Sequence, residues 1–239
     1  MKIIDMLSHI GKRKGSVCYV QEVLDMMEAS GVDQGMICSQ LETIDNEYIF
    51  DCCQKYPDKV FGFSVINPWD IDGEAELEKC LRDYKFYGVK LNAILFAHPP
   101  PRHSVVDPFF DLCRSYGKMA VVHNMADLFS IPDKWGEIAR VYPEVPILLY
   151  HMGVPYMVDS AIELARKYDN IYLGSACSFA PAIKKAYETV GAGKLMLATD
   201  APFVSMAQEI DKIKYVIRKD SDLELVLGGN AKKVVGLAD

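Results

Sequence analysis

Eight short apolar runs divide this chain, and each is followed by residues with helical spacing. The runs begin near Ile3, Gly35, Phe61, Gly88, Met119, Ile147, Ile171 and Leu195. Short apolar runs bounded by turn residues read as strands buried on both faces. Strict alternation of such strands with helices calls for a parallel sheet covered by helices, an α/β fold. Successive starts lie about 24 to 32 residues apart, the size of one strand-helix unit in an eight-fold barrel. That spacing predicts a TIM (β/α)8 barrel, a single domain over residues 1–239. An open dinucleotide-binding sheet would need a glycine fingerprint after its first strand, and a nucleotide-phosphate loop its Gly-Lys-Ser/Thr signature. The chain carries neither.

The helices have their own punctuation. Val20, Val23, Leu24 and Met27 mark the first, which stops at Gly31. Asp107 followed by Pro108 predicts an N-cap and a first helical residue, with Gly117 ending that helix. Further helices are expected from Trp135 to Pro143, from Tyr156 to Tyr168, and from Ala180 to Val190 before Gly191. Asn230 is the expected cap of a terminal helix, Ala231 to Leu237. The longest irregular piece, Ala93 to Val105, holds Pro99, Pro100 and Pro101 and reads as a stiff loop. His98 and His103 on it are expected to be solvated.

Composition narrows the class. With 50% hydrophobic residues the chain can bury a large core without disulfides. A net charge of −7 argues against a nucleic-acid surface. No apolar run reaches the length of a membrane span, and Asp5 comes too early for a signal-peptide core. Seven cysteines, an odd number, lie mostly inside apolar segments (Cys38, Cys80, Cys113), as buried thiols do in a reducing compartment. The expectation is a cytoplasmic protein with a small-molecule substrate. A homodimer would be its commonest assembly.

Polar residues then mark the ends of several runs: His9, His123 after Ala120-Val121-Val122, His151 after Ile147-Leu148-Leu149-Tyr150, and Asp200 after Leu195 to Thr199. The carboxyl ends of parallel strands are where such folds place their sites. Side chains two apart on a strand share a face, so Leu7 and His9 go with Asp5, and Asn92 goes with Lys90. Inward groups at the mouth would be His9, Lys90, Asn92, His123, His151, Cys177 and Asp200. Imidazoles with a carboxylate suit Zn²⁺ or a similar divalent ion. Each residue also has a structural reading: His9 as a turn cap, His123 and His151 as packed histidines, Asp200 as a turn opener before Ala201-Pro202, Cys177 as packing.

The order of these residues resembles the amidohydrolase superfamily, in particular its metal-dependent TIM-barrel branch of hydrolases and decarboxylases. The resemblance rests on Asp5-Met6-Leu7-Ser8-His9, Val122-His123, His151-Met152-Gly153, Thr199-Asp200-Ala201-Pro202-Phe203 and Gly229-Asn230-Ala231. It implies a divalent metal, zinc first, held by His9, His123, His151 and Asp200. It also implies Asp200 and His151 as catalytic groups. Asp200 would take a proton from the attacking water and pass it to the leaving group, while His151 orients the reacting oxygen. Lys90, Asn92 and Arg102 are candidate contacts to substrate or to a second metal. In binuclear relatives a lysine at Lys90's place is carbamylated; here it could equally pair with Asp200 or bind a substrate carboxylate.

One departure stands out. The family pattern has a histidine where this chain has Leu7, which offers no lone pair. The first functional reading is therefore metal-dependent hydrolysis of a small amide, ester or lactone. The second is non-oxidative decarboxylation of a small unsaturated or aromatic acid, and the third a metal-free barrel with a binding role.

Overall fold

The computed structural model describes every residue except Pro99, Pro101, Arg102, Ala238 and Asp239, with the backbone alone for His103 and Ser104. Strand β1 (Ile4–Arg13) opens the chain and turns into a short antiparallel β2 (Ser16–Cys18). The order then runs α1 (Val20–Ser30), β3 (Gln34–Ser39), α2 (Asn46–Lys55), β4 (Val60–Gly62), β5 (Ser64–Val65), α3 (Gly73–Arg82) and β6 (Gly88–Leu91). It continues through α4 (His103–Tyr116), β7 (Met119–Val122), α5 (Trp135–Val141), β8 (Ile147–Leu149), α6 (Val158–Lys167), β9 (Ile171–Gly174), α7 (Ala180–Val190) and β10 (Leu195–Met196). Helices α8 (Met206–Val216), α9 (Asp220–Glu224) and α10 (Asn230–Val235) end it.

The parallel staves are β1, β3, the broken pair β4 and β5, and β6 to β10, in ladders of order β1-β3-β4 and β5-β6-β7-β8-β9-β10. Phe63 N bridges the break by donating to Ile37 O at 2.8 Å. The ring closes where Met6 N donates to Leu197 O (3.0 Å) and His9 N to Ala201 O (2.7 Å). The fold is the expected TIM barrel, and every stave starts within one residue of its predicted position.

Alternation sorts the core into two layers. Ile37, Val89, Leu91, Val122, Leu149, Leu173 and Leu197 face outward and pack on helix residues such as Val23, Ile49, Leu77, Phe110, Ile162, Ile183 and Ile210. Met36, Phe63, Val65, Val121, Leu148, Tyr150, Met196 and Ala198 fill the interior. Gly88 is needed where two staves nearly touch, because a Cβ there would overlap the Met119 carbonyl and Phe63.

Three local expectations change. Helix α4 begins at His103, so Asp107 and Pro108 lie inside it. Pro108 is the sixth helical residue, so the bond its N–H would have donated to the Ser104 carbonyl is lost. Asn230 is not a cap but the first residue of α10, entered from a π-helical turn over Leu225–Gly229. Its amide instead donates to Ala192 O (2.7 Å) and Leu195 O (2.8 Å), tying the last helix to β10. His98 is fully buried rather than solvated, and burial pushes its imidazole down to about 4.

Candidate active site

The strand ends bring the predicted residues to one end of the barrel. His9 sits midway along β1, which continues to Arg13, with Nε2 3.4 Å from Asp200 Oδ1 and Nδ1 3.2 Å from Cys38 Sγ near the end of β3. Burial alone would lower the His9 pKa, but Cys38 and Asp200 outweigh it and raise it to about 10. Burial would likewise raise Asp200; the hydrogen bond and charge of His9, with His151 and Lys90, instead hold it down at about 2. The two form a proton-carrying pair.

His151 follows β8 and is oriented by its backbone neighbour. Its Nδ1 lies 3.1 Å from Ala176 O. A carbonyl only accepts, so Nδ1 carries the proton and Nε2 keeps its lone pair. Burial pushes this imidazole down to about 4, so it is neutral at ordinary pH. Cys177, after β9, points Sγ at Asp200 Oδ2, 3.6 Å away. Its thiol is pushed up to about 12, first by burial and then by Asp200 and Glu209. His151, Cys177 and Asp200 each place one donor atom within 4.8 Å of the other two. Both Cys177 (φ 58°) and Asp200 (φ 61°) hold left-handed backbone that non-glycine residues rarely adopt.

The other predicted residues lie around this centre. His123, after β7, packs edge-on against His151 with ring centroids 4.9 Å apart, and its Nε2 faces Asp127 Oδ2 at 3.9 Å. Burial, then His151, drives its pKa down to about 2. Lys90 points into the interior, with Nζ 4.0 Å above the Tyr150 ring, and makes no ion pair with Asp200. Asn92 accepts a hydrogen bond from Leu95 N (2.9 Å) and opens the loop after β6. Arg102 lies outside the described residues.

Leu7 is fully buried in the interior apolar cluster, and its carbonyl accepts the Tyr150 hydroxyl at 2.7 Å. It fills space and supplies no ligand. The imidazole, carboxylate and thiol that converge nearby nevertheless form a donor set suited to a divalent ion.

Above His9 lies a cavity of about 410 Å³ walled by Arg13, Leu41, Asn92, Ile94, Leu95 and Phe203. The Phe203 ring tilts over His9 at 5.6 Å, and the Arg13 guanidinium covers Phe203 at 4.8 Å. A larger hollow of about 740 Å³ opens on the other side of Cys177, between α7 and α8. The smaller one is lined by His9 and the larger one by Cys177.

The sequence treats Cys38 and Arg13 as unremarkable. Cys38 could have been found by the rule that found the histidines, since it too ends an apolar run. Arg13 carries no such signal, because nothing before it shows that β1 continues past His9.

A model of the amidohydrolase family matches residues 23–237. The chain belongs to the amidohydrolase family. No curated protein matches this amidohydrolase in sequence. Among solved structures it is similar to 2,6-dihydroxybenzoate decarboxylase from Rhizobium, with TM-score 0.78, 16% identity and 99% of each chain covered. It is also similar to 5-carboxyvanillate decarboxylase from Novosphingobium aromaticivorans in complex with manganese and 4-hydroxy-3-methoxy-5-nitrobenzoic acid. There the TM-score is 0.77 at 17% identity, over 99% of this chain and 96% of that one. An uncharacterized TIM-barrel protein from Bordetella bronchiseptica matches with TM-score 0.81 and 17% identity over 99% of both chains. Likeness at these identities establishes the fold.

Proposed function

We propose that this amidohydrolase is a metal-dependent enzyme that removes CO₂ from small aromatic or unsaturated acids without a redox cofactor. The observation that carries the reading is the convergence of His151, Cys177 and Asp200 within 4.8 Å, beside His9, which lines a cavity together with Phe203. The decarboxylases among the structural neighbours act on aromatic acids of a size such a cavity admits. His9, His123, His151 and Asp200 are the proposed ligand sphere, with His123 reaching the ion by turning away from Asp127. A bound divalent ion supplies a Lewis acid for the negative charge that develops on substrate oxygens.

The chain's own groups do the rest. When a carboxyl group leaves as CO₂, the electron pair of the broken bond stays on carbon, which then needs a proton. With His9 and Asp200 on the ion that proton comes from solvent, and Phe203 lies over His9, where it can keep a flat ring against the site. His151, fixed by Ala176 O, holds its free nitrogen in one direction. Arg13 and Asn92 line the cavity and could meet an anionic substrate.

The test is metal analysis of the purified chain, followed by measurement of CO₂ released from 2,6-dihydroxybenzoate and 5-carboxyvanillate. Asp200→Asn and His151→Ala should each abolish release. Full release in both variants, or from protein stripped of metal, rejects the proposal. Hydrolysis is the second reading, favoured by one feature: Asp200, held ionised, is placed to take a proton from water. Cleavage of small esters or lactones without CO₂ release would establish it instead.

A further inference from the structure

We propose that Cys177 is itself a ligand of the ion, as a thiolate, and that it occupies the valence Leu7 leaves open. The site is thereby built for zinc or another sulfur-seeking divalent ion rather than manganese. This inference rests on the metal-dependent reading above.

Strand β1 can give the site only one donor. Leu7 is 0% exposed among interior apolar side chains, and its backbone is tied to the Tyr150 hydroxyl. Because Cys38 occupies His9 Nδ1, a single nitrogen of that residue remains to face Asp200. The donors must come from later strands, and the turn after β9 supplies one. Cys177 Sγ stands 3.6 Å from Asp200 Oδ2, inside the 4.8 Å group that includes His151. Ligand atoms around one tetrahedral zinc lie about 3.3–3.8 Å apart, given bonds of about 2.0–2.3 Å. Small side-chain rotations therefore bring all three onto one ion.

The backbone points the same way. Two of the three donors sit on left-handed residues, a conformation that costs energy and persists at positions where a side chain must be aimed. The donor chemistry then decides the metal. Sulfur favours zinc, whereas manganese prefers oxygen ligands. On coordination the S–H bond breaks, a sulfur–metal bond forms, the proton passes to solvent, and no electron changes hands.

Cobalt(II) replaces zinc and reports its ligands by colour. The full-length chain is stripped with a chelator, loaded with Co²⁺ and read in the visible and near ultraviolet, with bound cobalt measured separately. The expected result is a sulfur-to-cobalt charge-transfer band that Cys177→Ser abolishes and Cys38→Ser retains. In competition with a coloured chelator, the preference for zinc over manganese should fall at least about tenfold in Cys177→Ser. Cys177→Asp, which keeps an anionic donor, covers the case in which the serine variant fails to fold; it should bind metal, lack the band and gain manganese affinity. Bound cobalt without the band in the unaltered chain, or a band that survives in both Cys177 variants, overturns this inference and leaves the metal-dependent reading standing. A chain that binds no cobalt overturns both.

Discussion

Replacing Lys90 by methionine should make the metal-free chain more stable near neutral pH and erase part of its pH dependence. Lys90 is 1% exposed, and its Nζ has no hydrogen-bond partner among the described residues. Burial pushes the amine down from 10.5 to about 8, against the opposing pull of Cys38 and Asp200. A fall of that size means that holding the charged form inside costs about 3 kcal/mol. Attraction to the Tyr150 ring, 4.0 Å away, returns about 1–2 kcal/mol of it. Methionine has a similar reach, carries no charge and adapts to the same space. The expected gain is thus about 1–2 kcal/mol, or roughly 2–8 °C in Tm for a chain of this length.

The sign with pH follows from linkage. The unfolded chain keeps the Lys90 proton up to its ordinary pKa of 10.5, whereas the folded chain releases it near 8. The unfolded state therefore binds more protons in that window, and wild-type stability rises across it. The methionine variant lacks this rise, so its advantage is full below about pH 8 and vanishes as pH passes about 10.5. Urea denaturation of both proteins with chelator present, at neutral and at strongly alkaline pH, measures the difference. A variant no more stable at neutral pH, or with an equal advantage at both, refutes the reasoning.

Asp5→Ala should cost on the order of 3 kcal/mol or more in urea denaturation, because it strands Thr199 N (2.8 Å), Thr199 Oγ1 (2.9 Å) and Ser8 Oγ (2.7 Å) in a dry seam; a loss below about 1 kcal/mol would count against that account. Gly88→Ala should abolish soluble folded protein, since its new methyl group meets the Met119 backbone, which cannot yield; normal yield with an unchanged Tm would contradict the tight approach. Arg13→Gln should raise KM for an aromatic acid about tenfold while leaving kcat within about twofold, the pattern of a lost binding contact. An effect on kcat alone would place Arg13 elsewhere in the reaction.

Much of this architecture was legible from local pattern. Apolar runs and turn residues fix where each stave starts, because both signals act within a few residues. The same rule located His9, His151 and Asp200, since a polar group ending an apolar run is hard to place anywhere but the mouth. The start of helix α4 escapes local pattern, because Asp-Pro is a cap signal that four preceding residues, His103 to Val106, override. The role of Cys177 escapes local pattern for a different reason. It lies past the end of β9, in a turn whose left-handed backbone decides where its sulfur points, and neither run nor period reports that conformation.

The first strand shows why counting motif letters misleads here. Strand parity puts Asp5, Leu7 and His9 on one face only if β1 is regular. It is not: between Asp5 and Ser8 the pairing with β3 slips, with three steps on β1 set against two on β3. The bulge sends both Met6 and Leu7 into the interior and turns Asp5 to the seam, where its carboxylate bonds Thr199 and Ser8. One segment thus closes the barrel with Asp5, packs it with Leu7 and reaches the mouth with His9. A leucine costs nothing in packing at such a position, and it demands only that another stave provide the missing donor. Asp200 is already held at the seam next to Thr199, so a ligand on the adjoining stave, after β9, is the shortest replacement, and Cys177 stands there.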